Sequence, residues 1–160
     1  MAEVNQELLR MSETLRVLED EGQITRLISS YGPAVDSGQS EVAAAIWTED
    51  GVYDTNAKVM RGRAEIAGMV EGSLHQQLIA GGVAHVLGVP HIRINGHRAV
   101  ATCYSRVFRR GEGGFEVWRV AANRWELVRT EEGWRAAYRT TRLLDGSADA
   151  RELLGRFGED

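Results

Sequence analysis

Apolar residues recur at helical spacing in the first part of the chain. Strong helix formers from Glu3 to Leu18 predict a leading helix. After Asp20, apolar residues at every third or fourth position predict a second, amphipathic helix. These residues are Ile24, Leu27, Ile28, Tyr31 and Val35. A short helix is expected over EVAAAIW with Ser40 as its N-cap, and a longer one from Arg63 to Leu78.

The second half of the chain alternates polar and apolar residues, which is typical of strands. Asn95-Gly96 lies between two such runs and predicts a tight hairpin, and GEGG and EEG mark two further turns. The predicted strands are Val52–Thr55 after a turn at 48–51, then Val83–Val89, the HIRI run, Arg98–Arg109, Phe115–Thr130 and Trp134–Leu144. Ala148 to Phe157 predicts a closing helix. Helices followed by an antiparallel meander indicate an α+β fold, in which a strongly curved sheet wraps as a cone around a pocket that the helices cover.

The stretch YGPAVDSG at residues 31–38 contains two residues that disfavour a helix. Pro33 cannot donate a backbone hydrogen bond, and in a helix interior it costs about 3 kcal/mol. Asp36 places a negative charge near the negative end of a helix dipole. On an ideal helix Asp36 lies about 120° from Ile24, at the flank of the apolar stripe. The stretch predicts either a solvent-exposed turn or an acid that Pro33 redirects inward by bending or ending the helix.

Composition narrows the function classes. The chain has 160 residues and a net charge of −4, which fits one domain over residues 1–160 and argues against nucleic acid as a partner. Within that domain we expect the leading helix, a core over residues 18–145 and a tail or helix over residues 146–160.

The single cysteine, Cys103, lies in an apolar run and is expected to be a buried thiol. The sequence shows no membrane-spanning segment and no signal peptide, so we predict a cytoplasmic location.

The four histidines do not form a metal-binding pattern. His91 and His97 flank the Asn95-Gly96 hairpin, and His75 falls near the end of a predicted helix. No cluster meets the ligand count that zinc requires. The glycine-rich stretches GEGG and AGG lack the following helix that a phosphate-binding loop needs. The sequence therefore predicts neither a bound metal nor a cofactor.

Several stretches together resemble the SnoaL-like domain of the nuclear transport factor two-like superfamily. In chain order they are LEDEGQITRLISSYGPAVDSG, IWTEDGVYD, RGRAEIAGMV and AHVLGVPHIRINGHRAVATCY. The resemblance covers residues 18–145 and implies an α+β cone. Within the superfamily, the pattern is most similar to scytalone dehydratase, bile-acid dehydratase and the hexachlorocyclohexane dehydrochlorinase.

The resemblance implies a catalytic pair of Asp36 and His85. Those relatives place an aspartate at the end of the first long helix and a histidine on the strand after the third helix, and Asp36 and His85 occupy the matching places. Tyr31 matches a catalytic tyrosine of the bile-acid enzyme. An arginine near the end of the sheet also helps some relatives, and Arg139 and Arg142 are both candidates for it.

An Asp–His pair supports proton transfer to and from carbon acids. A carboxylate that accepts a hydrogen bond from one imidazole nitrogen fixes the tautomer and raises the basicity of the other nitrogen. His85 would then remove a proton next to a carbonyl, Asp36 would orient it, and Tyr31 would polarise the substrate oxygen. In the alternative, His85 is a core histidine bonded to backbone. Pro33, between Tyr31 and Asp36, departs from the family pattern.

Aromatic side chains indicate an apolar pocket for a hydrophobic, ring-containing small molecule. The predicted substrate-binding residues are Tyr53, Trp47, Trp118, Trp125 and Arg142. Together with the pair, they predict a cofactor-independent lyase of the dehydratase kind. Isomerisation or cyclisation by the same proton transfers is one alternative. A small-molecule-binding or assembly protein without catalysis is the other, because the fold alone does not establish activity.

The long strands predict a homo-oligomer, either a dimer or a trimer. Residues 98–109 carry apolar groups on both faces, so part of the outer face is expected to meet another surface. The leading helix adds a row of apolar side chains, Leu8, Met11, Leu15 and Leu18. We expect this row to contact a partner chain or to pack back on its own domain.

Overall fold

The protein consists of one curved sheet with helices packed on it. Its computed structural model describes residues 1–159. The helices in this range are α1 Ala2–Asp36, α2 Ser40–Ala44, α3 Gly62–Glu71, α4 Ser73–Gly81 and α5 Ala148–Gly155, with a 3₁₀ turn at Arg156–Gly158. The strands are β1 Trp47–Asp54, β2 Val59–Arg61, β3 Val83–Leu87, β4 His91–Asn95, β5 Arg98–Gly111, β6 Gly114–Thr130 and β7 Gly133–Leu143. The predicted α+β cone and the closing helix are confirmed.

The strand order in the sheet is β2-β1-β7-β6-β5-β3, and β4 also pairs with β5. The long strand β5 takes β4 beside its first half and β3 beside its second half. These pairs are antiparallel apart from β1 with β7, which run parallel. The predicted hairpin is confirmed, because Asn95 pairs with Arg98 and Gly96 takes a φ of 59°. Register shifts on both sides of β6 mark bulges, which add bend to long strands.

Two predicted helix boundaries are wrong. The leading helix Glu3–Leu18 and the amphipathic helix after Asp20 are one helix of 35 residues, which continues through Gly22 without a break. The helix predicted from Arg63 to Leu78 is divided at Gly72, whose extended backbone (φ −61°, ψ 145°) separates α3 from α4. Glycine loses the most entropy in a helix, which favours a break at this position.

The starts of α2 and β1 also differ from prediction. Ser40 is the first residue of α2 and not its N-cap, and its hydroxyl donates to Glu71 of α3 at 2.7 Å. The predicted turn at 48–51 belongs to β1, because parallel pairing with β7 extends this strand back to Trp47 around an irregular stretch. The strand is therefore longer than Val52–Thr55 and carries the buried Trp47.

The core lies between the sheet and the second half of α1. Ile24, Ile28 and Val35 of this helix are fully buried, and Cys103 of β5 is buried as predicted, which raises the pKa of its thiol. By contrast, residues 3–19 of α1 are all exposed. The expectation that the leading helix packs back on its own domain is therefore wrong. No helix within residues 1–159 is long and apolar enough to cross a membrane.

Asp20 marks the point where α1 reaches the sheet. Its carboxylate accepts hydrogen bonds from Arg129 Nη2 at 2.5 Å and from Trp134 Nε1 at 3.1 Å. The hydrogen bond from Arg129 lowers the pKa of Asp20 below its usual range. The Arg129 guanidinium also lies 4.5 Å from the centroid of the Trp134 ring. These contacts tie α1 to the β6–β7 hairpin and set the direction in which the helix runs towards β3.

Candidate active site

Helix α1 ends at Asp36 in a turn that a glycine closes. Gly38 takes a left-handed backbone (φ +72°), and its N–H bonds to the Val35 carbonyl at 3.2 Å. The N–H of the residue after Gly38 bonds to the carbonyl of the residue before Val35, at 3.0 Å. This is the Schellman motif, which satisfies the last carbonyls of a helix. Pro33 lies inside the last turn of α1 and is exposed to solvent. The helix continues past it to Asp36, so the prediction that Pro33 ends the helix before Asp36 is wrong.

The close approach of α1 to β3 depends on Gly32. A Cβ at this position would lie 2.1 Å from the backbone carbonyl oxygen of His85, far inside a normal carbon–oxygen contact of about 3.3 Å. Because glycine has no Cβ, the helix backbone packs directly against the strand. One helical turn after Gly32, this approach places Asp36 beside His85.

Asp36 and His85 form a hydrogen-bonded pair. The Nδ1 of His85 lies 2.5 Å from Oδ1 of Asp36, and the backbone N–H of His85 donates to Oδ2 at 2.7 Å. The side chains of His85 and Asp36 are 16% and 22% exposed, so Asp36 is not the solvent-exposed turn residue of the alternative prediction. A carboxylate accepts but does not donate, so Nδ1 carries the hydrogen and Nε2 keeps its lone pair in the neutral ring. This arrangement suits a base whose ring an acid orients.

Tyr31 lies at the centre of a buried aromatic cluster beside His85. Its ring centroid is 5.9 Å from Trp47, 6.1 Å from Tyr53 and 6.3 Å from Trp125. The His85 ring meets it edge-on at 6.4 Å. Burial raises the pKa of the Tyr31 hydroxyl above its usual range, so the hydroxyl keeps its proton. The structure therefore brings these predicted site residues together.

Arg139 is a buried cation without a carboxylate partner among residues 1–159. Its Nε and Nη2 donate to Asn123 Oδ1 at 3.2 and 2.8 Å, while Nη1 has no hydrogen-bond partner among the residues that the structure describes. The guanidinium lies 4.1 Å from the ring centroid of Tyr31, 4.5 Å from Tyr53 and 4.2 Å from Trp125. Such cation–π contacts partly offset the cost of burying the charge. The Nη1 group is therefore a buried donor whose hydrogen-bonding capacity is unused within the described chain.

Arg139 rather than Arg142 therefore lies in the cluster, contrary to the prediction of Arg142 as a substrate-binding residue. Arg142 donates from Nη1 and Nη2 to the carboxylate of Asp54 at 3.0 and 2.9 Å, and lowers its pKa. Tyr138 donates to the same carboxylate at 3.2 Å. Residues three apart on a strand point to opposite faces, which explains why only one of the two arginines faces inward.

Asn123 is a site residue that the sequence patterns did not indicate. Its Oδ1 also accepts from the Thr141 hydroxyl at 2.8 Å, and its Nδ2 donates to the Ser105 hydroxyl at 2.8 Å. Asn123 lies two residues before Trp125 on β6, and residues two apart share a face of a strand. That spacing was the available signal, and it places a fully buried amide next to the guanidinium of Arg139.

Trp118, predicted to bind substrate, also lies apart from the cluster. It is on the part of β6 before Ala121 that pairs with β5 but not with β7, and residues 114–120 are exposed there. The residue is 39% exposed, and the guanidinium groups of Arg109 and Arg119 lie 5.5 and 4.6 Å from the centroid of its ring. The β5–β6 hairpin extends beyond the neighbouring strand, which carries Trp118 away from the interior.

The other three histidines occupy separate places. His75 on α4 is buried, and its Nε2 lies 2.8 Å from the carbonyl oxygen of Val35. Its ring centroid is 5.7 Å from that of His85. His91 packs edge-on against the C-terminal turn, and His97 lies at the exposed hairpin. In the part of the chain that the structure describes, no three His, Cys, Asp or Glu residues are placed to hold a metal ion.

Comparison with known proteins identifies similar chains. The sequence profile of the SnoaL-like domain matches residues 16–140. An NTF2-like protein with a cystatin-like fold from Novosphingobium aromaticivorans is 46% identical, with a TM-score of 0.90 over 92% of this chain and 96% of that protein. No curated protein matches the chain significantly.

Two more distant solved structures share the fold. A variant of a protein of unknown function from Mycobacterium tuberculosis is 20% identical, with a TM-score of 0.72 over 91% of this chain and 88% of that one. A protein from Catenulispora acidiphila in complex with S-DNPA is 22% identical, with a TM-score of 0.67 over 83% of this chain and 96% of that one. At these identities the likeness shows the fold alone.

Proposed function

We propose that this chain, which belongs to the SnoaL-like domain family of the nuclear transport factor two-like superfamily, is a cytoplasmic, cofactor-independent lyase of the dehydratase kind. Its substrate is a hydrophobic, ring-containing small molecule. The observation that carries the proposal is the 2.5 Å contact between Asp36 Oδ1 and His85 Nδ1 beside the buried aromatic cluster. The pair provides a base of fixed tautomer that is partly shielded from solvent.

In the proposed reaction, His85 Nε2 removes a proton from a carbon next to a substrate carbonyl. The electron pair of the broken C–H bond moves into the carbonyl as an enolate, and then forms the new C=C bond as the β-hydroxyl departs. The imidazolium returns its proton to the departing hydroxyl, so water is released and His85 is neutral again. Asp36 stabilises the imidazolium and holds the ring in place.

Tyr31 and Arg139 supply donors for the enolate oxygen. The guanidinium lies 4.1 Å from the Tyr31 ring centroid, and its Nη1 has no partner within the described chain. Fixed donors in a site with little water stabilise developing negative charge strongly. Trp47, Tyr53 and Trp125 bind the rings of the substrate through apolar area.

Two other functions use the same residues. An isomerase or cyclase would move the proton between substrate atoms without expelling water. A binding or assembly protein would use the aromatic cluster without proton transfer. The assembly role in particular is favoured by the burial of Trp47 and Trp125, because their rings fill interior space that any small molecule bound by the cluster needs.

Incubation with a panel of hydroxylated polycyclic ketones in D₂O tests the proposal. For at least one ketone we expect loss of water, measured by mass spectrometry, and the absorbance of a new conjugated C=C bond. Deuterium uptake at the α-carbon without loss of water would replace the lyase with an isomerase or cyclase. A ligand that raises the melting temperature, with neither deuterium uptake nor elimination from any ketone, would reject the enzyme in favour of a binding protein.

We also propose that the protein is a homo-oligomer, a dimer or a trimer, held together in part by α1. Residues 3–19 of this helix are all exposed to solvent, including their apolar side chains. Five of these side chains follow heptad spacing and are 54–64% exposed: Val4, Leu8, Met11, Leu15 and Leu18. In proteins, helices gain most of their stability by packing an amphipathic face, and a heptad stripe is the pattern that two or more helices bury against each other.

Sedimentation equilibrium over a wide concentration range tests the oligomer. We expect a mass above that of one chain, and a lower mass for the double variant Leu8→Glu and Leu15→Glu, which charges the stripe. Leu9→Glu is the matched control, because Leu9 is on the same helix, 68% exposed and outside the stripe. A wild-type mass of one chain at every concentration would reject the oligomer, and equal masses for the double variant and the wild type would place the interface elsewhere.

A further inference from the structure

His75 is a buried titratable residue that the proposed chemistry does not use. It lies on α4 and is 9% exposed. Its Nε2 is 2.8 Å from the carbonyl oxygen of Val35, the residue before Asp36. A carbonyl only accepts, so Nε2 carries a hydrogen and donates it. Consecutive residues of α1 therefore hold two histidines, because Val35 bonds to His75 and Asp36 bonds to His85.

The two imidazole rings also contact each other. Their centroids are 5.7 Å apart and their planes are tilted by 34°. Tyr31 meets the His85 ring from another direction, edge-on at 6.4 Å and 88°. The hydrogen bond to Asp36 fixes one atom of the His85 ring but leaves rotation about that bond. The neighbouring rings restrict this rotation, as packing around a functional side chain does.

His75 also secures the end of α1. The Val35 carbonyl accepts from His75 Nε2 and from the N–H of Gly38. The last carbonyls of a helix lack intrahelical partners, and a side-chain donor at this end stabilises it. Asp36 is the last residue of α1, so any movement of the helix end moves its carboxylate as well.

We propose that His75 is a positioning residue for the Asp36–His85 pair, an inference that rests on the proposed lyase function. From α4 it bonds to the helix that carries the acid and packs against the ring of the base. It therefore fixes the two members relative to each other. Its effect passes through the pair, so its loss lowers kcat and leaves KM close to the wild-type value.

Substitutions at His75 separate its two contacts. His75→Leu removes both the hydrogen bond and the polar ring, whereas His75→Gln keeps an N–H donor for Val35. We expect His75→Leu to lower kcat about 10- to 100-fold, because small displacements of a catalytic group are costly. His75→Gln is expected to recover part of this loss. Leu74→Ala, which alters the neighbouring and 80% exposed position on α4, is the matched control with wild-type kcat.

NMR of the His85 ring gives a measurement that does not depend on turnover. In the wild-type protein we expect one tautomer, with the Nδ1–H bonded to Asp36 and protected from exchange with solvent. In His75→Leu we expect faster exchange of this proton and a mixture of tautomers. If no ketone is turned over, the lyase proposal fails by itself, and this signal alone decides on the positioning role.

An unchanged Nδ1–H signal in His75→Leu, with unchanged kcat, would overturn the inference. If His75→Leu does not fold, His75→Gln is compared with the wild type in the same two measurements. Loss of the ring contact is then expected to lower kcat about threefold to tenfold and to speed the exchange of the His85 proton. Wild-type values of both quantities in His75→Gln would overturn the positioning role.

Discussion

Replacing His85 with glutamine is expected to lower kcat for the elimination by about 10²- to 10⁴-fold while the fold stays intact. Glutamine has no basic nitrogen to accept the substrate proton, although its amide still donates a hydrogen bond to Asp36. The His85 side chain is partly exposed, so the substitution leaves no large internal cavity. Steady-state kinetics on the ketone that is turned over measures the effect, and circular dichroism checks the fold.

Asp36→Asn is expected to reduce kcat in the same range. The amide oxygen replaces only one of the two carboxylate oxygens that accept from His85, and the amide nitrogen cannot accept from the other donor. The ring then loses its fixed tautomer. Because the two residues act as a unit, the double variant is expected to have about the same kcat as His85→Gln. Its loss of kcat is then much smaller than the product of the losses in the two single variants.

Two substitutions of the same chemical kind serve as controls. Asp54→Asn changes an acid that pairs with Arg142 outside the aromatic cluster, and His97→Gln changes a histidine at the exposed hairpin. Both are expected to keep kcat near the wild-type value. Elimination at the wild-type rate in folded His85→Gln would show that another group removes the proton, and the proposed mechanism would be rejected.

Gly32→Ala is expected to destabilise the protein by about 3 kcal/mol and to separate Asp36 from His85. The new methyl carbon would lie 2.1 Å from the His85 carbonyl oxygen, so α1 and β3 must move apart by about 1 Å to restore a normal contact. Forcing an extra carbon into a packed interior costs about 1–3 kcal/mol. Urea denaturation measures the stability, and the His85 Nδ1–H signal reports on the pair.

Gly68→Ala provides the matched control in a helix where space is open. A Cβ at Gly68 in α3 would meet nothing within 4 Å. The same substitution is therefore expected to stabilise the protein by about 1 kcal/mol through helix propensity alone. A Gly32→Ala protein that is as stable as the wild type and keeps the His85 signal would show that α1 does not need this close approach.

Local periodicity was enough to predict most elements of the sheet. The Asn95-Gly96 turn and the alternation over 98–109 and 115–130 predicted β4, β5 and β6 to within a few residues of their bounds in the structure. These signals succeed because hairpins are made by neighbouring residues, whose turn chemistry and alternation are local properties. Local patterns were less useful for β1, because its extension to Trp47 depends on pairing with the distant strand β7.

The candidate pair was identified from sequence only through the family resemblance. Asp36 and His85 are 49 residues apart, and helical periodicity placed the acid at the flank of α1 rather than inside. The physical cause of the pairing is the absence of a side chain at Gly32, which lets α1 approach β3. A glycine in a helix does not reveal by itself that a carbonyl of another element lies against it.

By itself the sequence determined the fold class and the hairpins and, with the family pattern, it pointed to Asp36 and His85 as the candidate pair. The tertiary structure decided that Arg139 and not Arg142 joins Tyr31, that the ring of His75 packs against that of His85, and that the start of α1 stays exposed. Each of these outcomes depends on distances between elements far apart in the chain. Such distances follow from strand register, bulges and the close packing of a helix on a sheet, and no local repeat of apolar and polar residues records them.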